Sequence, residues 1–151
     1  MAQLNALETW AAALMERLGP AGQRQLALHI AREMRQRNQR RIRAQTGPDG
    51  AAWQPRKTGP KRRQGKSGPM MRGLAKAGWL KASARPGAAS VEFAGRAQRI
   101  AQIHHYGQRA AVNFPRGPMH DYPARALLGL SDDDLDKVAE MVMARVNGPD
   151  K

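Results

Sequence analysis

Two adjacent histidines, His104 and His105, invite a chemical role, because imidazole can bind a metal ion or transfer a proton. Neighbouring positions on a helix point about 100° apart, so the two rings cannot readily ligate one ion. The chain contains no cysteine, and no carboxylate lies at a spacing that would complete a metal site with them. We therefore expect histidines of the core or of an interface, and no metal.

Other patterns that could carry chemistry fail on spacing or lack partners. Residues 65–67 read Gly-Lys-Ser, the end of a phosphate-binding loop, but Pro60 stands where that motif requires glycine. His29 and His120 have no evident partner in the sequence. We expect no catalytic residue, no bound cofactor and no enzyme activity.

The net charge restricts the partners of the protein. The 151 residues include 26 Lys and Arg against 12 Asp and Glu, which gives a formal charge of +14 at pH 7. The excess lies before residue 131, because residues 1–69 carry +10, residues 70–130 carry +7 and residues 131–151 carry −3. A positive field of this strength attracts nucleic acid, anionic lipid or acidic protein surfaces.

Targeting signals are not apparent. The N-terminus lacks a basic segment followed by an apolar one, and no apolar run approaches the roughly 18 residues of a membrane span. The absence of cysteine excludes disulfides and suits a reducing compartment. We expect synthesis in the cytoplasm and no membrane partner.

Most of the positive charge follows one predicted helix into the loop after it. Six arginines lie in residues 32–43 and would point all round a helix axis, so we expect only the start of that helix to be docked. The Gly- and Pro-rich residues 46–69 form either a solvated, mobile loop or an arm that orders against a partner. The candidate contacts to DNA or to an acidic partner are Arg37, Arg40, Arg41, Arg43, Arg56, Lys57, Lys61, Arg62, Arg63 and Lys66.

The elements that position these residues form a small α+β fold. Apolar residues at three- and four-residue steps predict helices over 4–18 and about 21–45. Alternation around residues 79–93 predicts a β-hairpin, followed by a helix that Gly107 ends and by a brief strand at 110–114. We expect a single domain over 1–151, with an N-terminal helical pair, a small antiparallel sheet (hairpin), a C-terminal helix and a long basic loop at about 46–69.

The C-terminal helix explains the acidic cluster at Asp132 to Asp134. Ser131 is a natural N-cap, and Asp134 three residues later completes an arrangement like a capping box. Carboxylates in the first turn are favoured by the helix dipole, by about 0.3–1 kcal/mol each. The apolar run at residues 127–130 directly before this helix is either core or one face of an interface.

Three stretches resemble a known family in their order and spacing. They are QTGPDGAAWQP at 45–55, IAQIHHYG at 100–107 and YPARALLGLSDDD at 122–134. Together they resemble the phage virion morphogenesis, or tail completion, proteins of temperate phages with contractile tails, over about the whole chain. The residues at motif positions are Pro48, Asp49, Gly50, Trp53, His104, Tyr106, Gly107, Tyr122, Pro123, Ala124, Arg125, Leu128, Gly129, Leu130 and Ser131.

The resemblance implies a non-enzymatic structural protein of the virion tail or neck, present in the host cytoplasm during assembly. Members of the family finish the tail so that it can join the filled head. Related neck proteins form rings, commonly sixfold, around the DNA channel. By analogy the implied partners are copies of itself in a hexameric ring and other tail and neck proteins. Whether the protein also contacts DNA in the channel stays open at this point.

Two further points stay open at the level of the sequence. The protein could instead be a basic nucleic-acid-binding protein that contacts the DNA backbone through residues 32–66. Arg125, beside Tyr122, could pair with a carboxylate of an adjacent subunit or be an ordinary surface arginine.

Overall fold

The computed structural model describes residues 2–56, 69–113 and 115–148. The chain divides into two compact units: unit 1 comprises Met1–Arg37, Lys81–Glu92 and Leu130–Lys151, and unit 2 comprises Asn38–Leu80 and Phe93–Gly129. The elements in chain order are α1 (Ala2–Met15), α2 (Pro20–Ala44), a 3₁₀ helix (Arg72–Ala75), β1 (Leu80–Arg85), β2 (Ala88–Phe93), α3 (Arg96–Tyr106), β3 (Arg109–Asn113), β4 (Arg116–Asp121) and α4 (Asp132–Asn147). The α+β class is confirmed, and the single domain over 1–151 stays a prediction.

Unit 1 is built mainly from helices. It contains α1, the first part of α2, α4 and most of the β1–β2 hairpin, which the sequence predicts at this position. Buried apolar side chains in this unit are Leu26, Ala27, Ala31, Met34 and Val142. Helix α1 packs against α4 but buries none of its own residues. No helix among the described residues is both long enough and apolar enough to cross a membrane.

The start of α4 has the predicted capping box. The Ser131 hydroxyl accepts a hydrogen bond from the Asp134 backbone N–H at 3.1 Å, and the Asp134 carboxylate accepts one from the Ser131 N–H at 2.9 Å. Arg37 on α2 also donates to that carboxylate, at 3.2 Å. Asp134 is buried as a result, whereas Asp132 and Asp133 in the same turn are exposed.

Replacing Asp134 by alanine is expected to lower the free energy of unfolding by about 2–3 kcal/mol. The change removes half of the capping box and leaves the Arg37 guanidinium without one of its acceptors. Asp132→Ala is the matched control on the same turn and should cost at most about 1 kcal/mol, through the helix dipole alone. Urea unfolding followed by circular dichroism measures both, and equal losses would contradict the asymmetry.

Unit 2 surrounds its core with short elements. The rest of α2, the loop to residue 56, the 3₁₀ helix, α3 and the β3–β4 hairpin all belong to it. Its buried apolar side chains include Ile42, Trp53, Leu74, Ala75, Leu80, Phe93, Ala97, Ala101, Ala110 and Leu127. Helix α3 ends where the sequence predicts, because Gly107 adopts the left-handed conformation (φ 70°) that closes a helix.

The prediction that α2 is docked only at its start is wrong. Asn38 and Ile42, in the last part of α2, are 3% and 0% exposed, and they continue the four-residue steps of Met34. The buried asparagine hides this pattern in the sequence. Its side-chain oxygen accepts hydrogen bonds from the Gly129 N–H and from Arg41, so the polar group is satisfied inside unit 2.

Instead of one brief strand at 110–114, unit 2 has a second antiparallel hairpin. Strand β3 pairs with β4 in the register Arg109↔Asp121, Ala110↔His120, Ala111↔Met119 and Asn113↔Arg116, with an irregularity before the turn. Strand β4 reads Arg-Gly-Pro-Met-His-Asp and shows no apolar alternation. The strand is largely exposed and contains proline and glycine, so it lacks the alternation of apolar and polar residues that predicts a strand.

Candidate functional site: the motif junction

The three motif stretches meet in unit 2. We name this meeting point the motif junction and define it as residues 45–55, 104–107 and 122–129. Residues 122–129 bond to both of the other stretches: the Arg125 N–H donates to the His104 carbonyl at 2.8 Å, and the Ala126 carbonyl accepts from the Trp53 indole N–H at 3.1 Å. Segments that are distant in sequence are therefore joined by direct hydrogen bonds.

The Pro48-Asp49-Gly50 turn brings Trp53 into the core. The Asp49 carboxylate accepts from the Ala51 N–H at 3.0 Å, and Gly50 supplies a positive φ of 81°. The chain then doubles back, so that the Trp53 N–H donates to the Gln45 carbonyl at 2.8 Å. A lone aromatic residue in a polar stretch thus becomes the buried centre of the loop.

Arg125 is the charged member of the junction, and it is only 6% exposed. Its guanidinium donates to the carbonyls of Gln54 at 2.8 Å and Pro55 at 3.3 Å, so that both acceptors belong to the backbone of the preceding loop. Burial lowers the pKa of Arg125, and the nearby charge of Arg56 lowers it further. The alternative of an ordinary surface arginine is wrong, because Arg125 is buried and binds its own chain. The pairing with a carboxylate of an adjacent subunit stays a prediction.

Two glycines allow the segments to approach closely. At Gly107 a β-carbon would lie 2.7 Å from the Ala124 nitrogen, and at Gly129 it would lie 2.5 Å from the Pro48 side chain. The Gly129 carbonyl also accepts from Arg41 at 3.1 Å. Glycine at these two motif positions is therefore explained by contact inside unit 2.

Replacing Gly107 by alanine is expected to destabilise the fold by about 2–3 kcal/mol. Alanine at φ 70° is strained, and its methyl group would collide with the Ala124 backbone. Gly87→Ala is the matched control, because Gly87 also has a positive φ (77°) but open space around it, and about 1–2 kcal/mol is expected there. Thermal unfolding of both variants tests this difference, which equal shifts in Tm would contradict.

The histidines of the junction are packed groups. The His104 ring lies edge-on to Tyr122 at 4.9 Å, and Tyr122 meets His120 in the same way at 4.7 Å. The His104 Nδ1 is buried and has no hydrogen-bond partner among the residues that the structure describes. The His105 Nδ1 accepts from the Leu127 N–H at 3.1 Å. Both histidines are partly buried, and the expectation of a core or interface position stays a prediction.

The match of the chain to known proteins covers nearly its whole length. A family model described as the phage virion morphogenesis family matches residues 2–147. The chain belongs to this family. It is 36% identical over 141 residues to tail completion protein S of Escherichia phage P2, an alignment that covers 88% of this chain and 90% of that protein. No solved structure matches the chain.

In this family member the stability should fall as the pH falls below neutrality. Burial lowers the pKa of His104, helped by the Arg125 charge, and burial lowers the pKa of His105. The unfolded chain therefore takes up these protons first, at about pH 6.5, and the native state loses stability from there downwards. We expect a lower urea midpoint at pH 5.5 than at pH 7.5, and a smaller difference in His105→Gln. Exposed His29 provides the control variant; an unchanged pH dependence in His105→Gln would contradict this assignment.

The described part of the family member offers no obvious catalytic centre. A cavity of about 460 Å³ adjoins the junction, and its described lining includes His104, His120 and Arg125 but no carboxylate. No group of three or more His, Asp or Glu side chains within residues 2–56, 69–113 and 115–148 could hold a metal ion. The hydrogen bonds of the junction join side chains and backbone groups of its own three segments.

The structure divides the predicted cationic contacts into three sets. Arg37 pairs with Glu33 at 3.0 Å and with Asp134, and Arg41 bonds to the Gly129 carbonyl, so both have partners within the chain. The exposed members are Arg40, Arg43 and Arg56. The remaining candidates, Lys57, Lys61, Arg62, Arg63 and Lys66, lie outside the described residues.

The charge is divided between the units more sharply than along the sequence. Unit 2 holds 16 Lys and Arg against 2 Asp and Glu, whereas unit 1 holds 10 of each kind. The formal net charge of the chain, +14, is therefore the charge of unit 2. A count along the sequence does not reveal this division, because unit 1 combines three separate stretches of the chain.

Proposed function

We propose that this protein is a non-enzymatic structural component of a phage virion that completes the tail. Membership of the phage virion morphogenesis family supports this role, as does the identity with a protein named tail completion protein S. At the finer level we propose a ring of identical subunits around the DNA channel, placed where the tail joins the head, within a contractile-tailed virion.

The proposal rests on one observation: residues of the motif junction bind other parts of the same chain. Trp53, Arg125 and Gly129 bind the chain's own backbone, and the described lining of the adjoining cavity lacks a carboxylate for acid–base work. The motif residues therefore act as a scaffold. A protein that works by docking needs such a rigid support for its outer surface.

A ring requires each subunit to present two different faces that meet head to tail. The difference in charge between the units supports two unlike faces, because unit 2 carries the entire net charge and unit 1 is neutral. Unit 2 also exposes large apolar side chains, among them Trp79, Ile100, Val112 and Met119. Exposed apolar groups beside strong charge are typical of surfaces that another protein covers.

Gene inactivation in the phage that encodes the protein tests the role in the tail. We expect DNA-filled heads and separate tails to accumulate, with few infectious particles, and a plasmid copy of the wild-type gene to restore them. A copy with Arg125→Ala should fail and a copy with Arg109→Ala should succeed, because only Arg125 supports the junction. Normal yields of intact virions without the protein would contradict the proposal.

Binding to the DNA backbone remains a second candidate function, favoured by the exposed Arg40 and Arg43 within a unit of charge +14. Such binding weakens steeply with salt, whereas an assembly that rests on apolar contacts persists. Replacing both arginines by glutamine should make the slope of log affinity against log salt concentration less steep, by up to the equivalent of about two phosphate contacts. A monomer that binds DNA tightly at physiological salt would favour this function over the ring.

A further inference from the structure

A groove lined by apolar and basic side chains lies between α3 and β3 in unit 2. We name it the α3–β3 groove. It has a volume of about 510 Å³, and its lining includes Arg96, Arg99, Ile100, Ile103 and Val112. Ile100 and Val112 are 47% and 49% exposed, which is unusual for side chains of this size in a folded chain. A second cavity of about 500 Å³ shares Arg96 and Ile100 with it and extends to the exposed Trp79.

The charged side chains that line the groove are basic. Arg96 lies in the first turn of α3, a turn that contains no acidic residue. Gly95 caps this helix without any side-chain hydrogen bond, so the partial positive charge of the helix end adds to that of the arginine. None of the described lining residues is Asp or Glu. The groove therefore suits an apolar side chain with carboxylates directly beside it.

DNA is a poor occupant for this groove. A phosphate backbone would satisfy Arg96 but would leave Ile100 and Val112 in contact with water. An occupant that buries the apolar lining residues and also neutralises Arg96 gains from both interactions. Burial of about 100 Å² of apolar surface alone contributes on the order of 2.5 kcal/mol before the costs of association.

Unit 1 carries a segment with the matching chemistry. Leu130 is 45% exposed directly before α4, and Asp132 and Asp133 are exposed in the first turn of that helix. Asp134 is used for capping, but neither Asp132 nor Asp133 has an ion-pair or hydrogen-bond partner within the described part of the chain. The helix dipole favours Asp132 and Asp133, but both carboxylates and the leucine remain exposed and can contact a partner.

We propose that Leu130, Asp132 and Asp133 of one copy dock into the α3–β3 groove of a second copy. The leucine side chain covers Ile100 and Val112, and the carboxylates face Arg96 and the N-terminal end of α3. This contact joins unit 1 of one subunit to unit 2 of the next. Repeated head to tail from copy to copy, it can close into a ring. It rests on the proposed ring and supplies its subunit interface.

The groove would be the centre of a larger contact. A stable interface buries about 800 Å² per partner, with most of the binding energy in a few central residues. Leu130 and the groove residues supply such a centre, and the exposed Trp79 beside the groove extends the apolar area.

Disulfide trapping tests the contact. Because the chain contains no cysteine, only the introduced cysteines can form a disulfide. Leu130→Cys and Val112→Cys are made in separate, differently tagged full-length chains, which are coexpressed and then oxidised. We expect a cross-linked dimer that contains both tags. Met143→Cys, exposed by 42% on α4, replaces Leu130→Cys in the control pair and should give little product. No mixed dimer, or equal amounts with the control, would overturn the proposal.

A charge swap gives a second readout. Arg96→Glu should weaken self-association at least about tenfold, because like charges would face each other, and Arg96→Glu with Asp132→Lys in one chain should restore it. Arg85→Glu, in the exposed part of the β1–β2 hairpin, is the matched control and should leave the mass unchanged. Circular dichroism checks that each variant is folded.

Two outcomes of the swap overturn the interface. In the first, the Arg96→Glu protein assembles like the wild type. In the second, it loses affinity for DNA while the mass of the assembly is unchanged, which would make the groove a DNA site. Failure of the interface is distinguishable from failure of the proposed function. If neither trapping nor the swap has an effect but gene inactivation still leaves heads and tails unjoined, the role in the tail stands without this contact.

Discussion

Replacing Trp53 by alanine is expected to lower the free energy of unfolding by about 3–5 kcal/mol. The side chain is buried in unit 2, and its removal leaves a cavity at the centre of the motif junction. It also leaves the Ala126 carbonyl without its indole donor. Since proteins of this size are stable by only about 5–15 kcal/mol, the loss should be visible as a large shift of the urea midpoint.

Two companion variants separate the causes. Trp53→Phe keeps most of the buried area but removes the hydrogen bond to Ala126, and we expect a loss of about 1–3 kcal/mol. Trp10→Ala removes an exposed indole from α1 and should cost less than about 1.5 kcal/mol. Circular dichroism is the appropriate probe because the substitutions alter the fluorescence. A Trp53→Ala protein as stable as Trp10→Ala would contradict the account of the junction.

Arg125→Ala should be nearly as damaging, with a loss of about 3–4 kcal/mol. The guanidinium makes two charge-assisted hydrogen bonds to the carbonyls of Gln54 and Pro55, each worth about 1.5–3 kcal/mol, and alanine removes the donor of both. Urea unfolding at neutral pH measures the loss. Arg125→Lys should recover only part of it, because an ammonium group cannot reproduce the planar fork.

The matched control for Arg125 is Arg109→Ala. Arg109 is 66% exposed and lies 4.0 Å from the Asp121 carboxylate, so its pair contributes at most about 1 kcal/mol. Equally small losses of stability in Arg125→Ala and Arg109→Ala would show that the Arg125 guanidinium does not support the loop that it contacts. Full recovery in Arg125→Lys would show that charge alone, and not the fork, is what matters.

The parts of the fold that follow local rules could be predicted from the sequence. Ser131 and Asp134 form the capping box because the required atoms lie three residues apart. Gly107 ends α3, and alternation around Val91 and Phe93 marks the first hairpin, for equally local reasons. These features need no knowledge of what else the chain contacts.

The parts that were missed depend on distant partners. Asn38 is buried because the Gly129 N–H, 91 residues away, donates to it, and no pattern within α2 reveals this. The bonds of Arg125 within its own chain were missed because its acceptors are backbone carbonyls, which every residue possesses and which therefore leave no sequence signature. The β4 strand was missed because its Pro118 and Gly117 disguise an edge strand.

The sequence names the motif residues of the candidate site but does not show what they contact. The motif stretches identify Trp53, Gly107 and Arg125, and the structure shows that these residues build a scaffold inside unit 2. The separation of charge between the units could not be read from linear segments, because it depends on which stretches fold together. The same holds for the groove that we propose as the docking site of a second copy.

The mass of the purified full-length chain, measured by native mass spectrometry and light scattering, tests the central claim most directly. We expect a closed ring, of about 100 kDa for six copies of the 16.6 kDa chain, that persists when salt is raised from roughly 0.1 to 0.5 M. A species of 16.6 kDa at every concentration and salt would contradict the claim that this protein works by assembling with copies of itself.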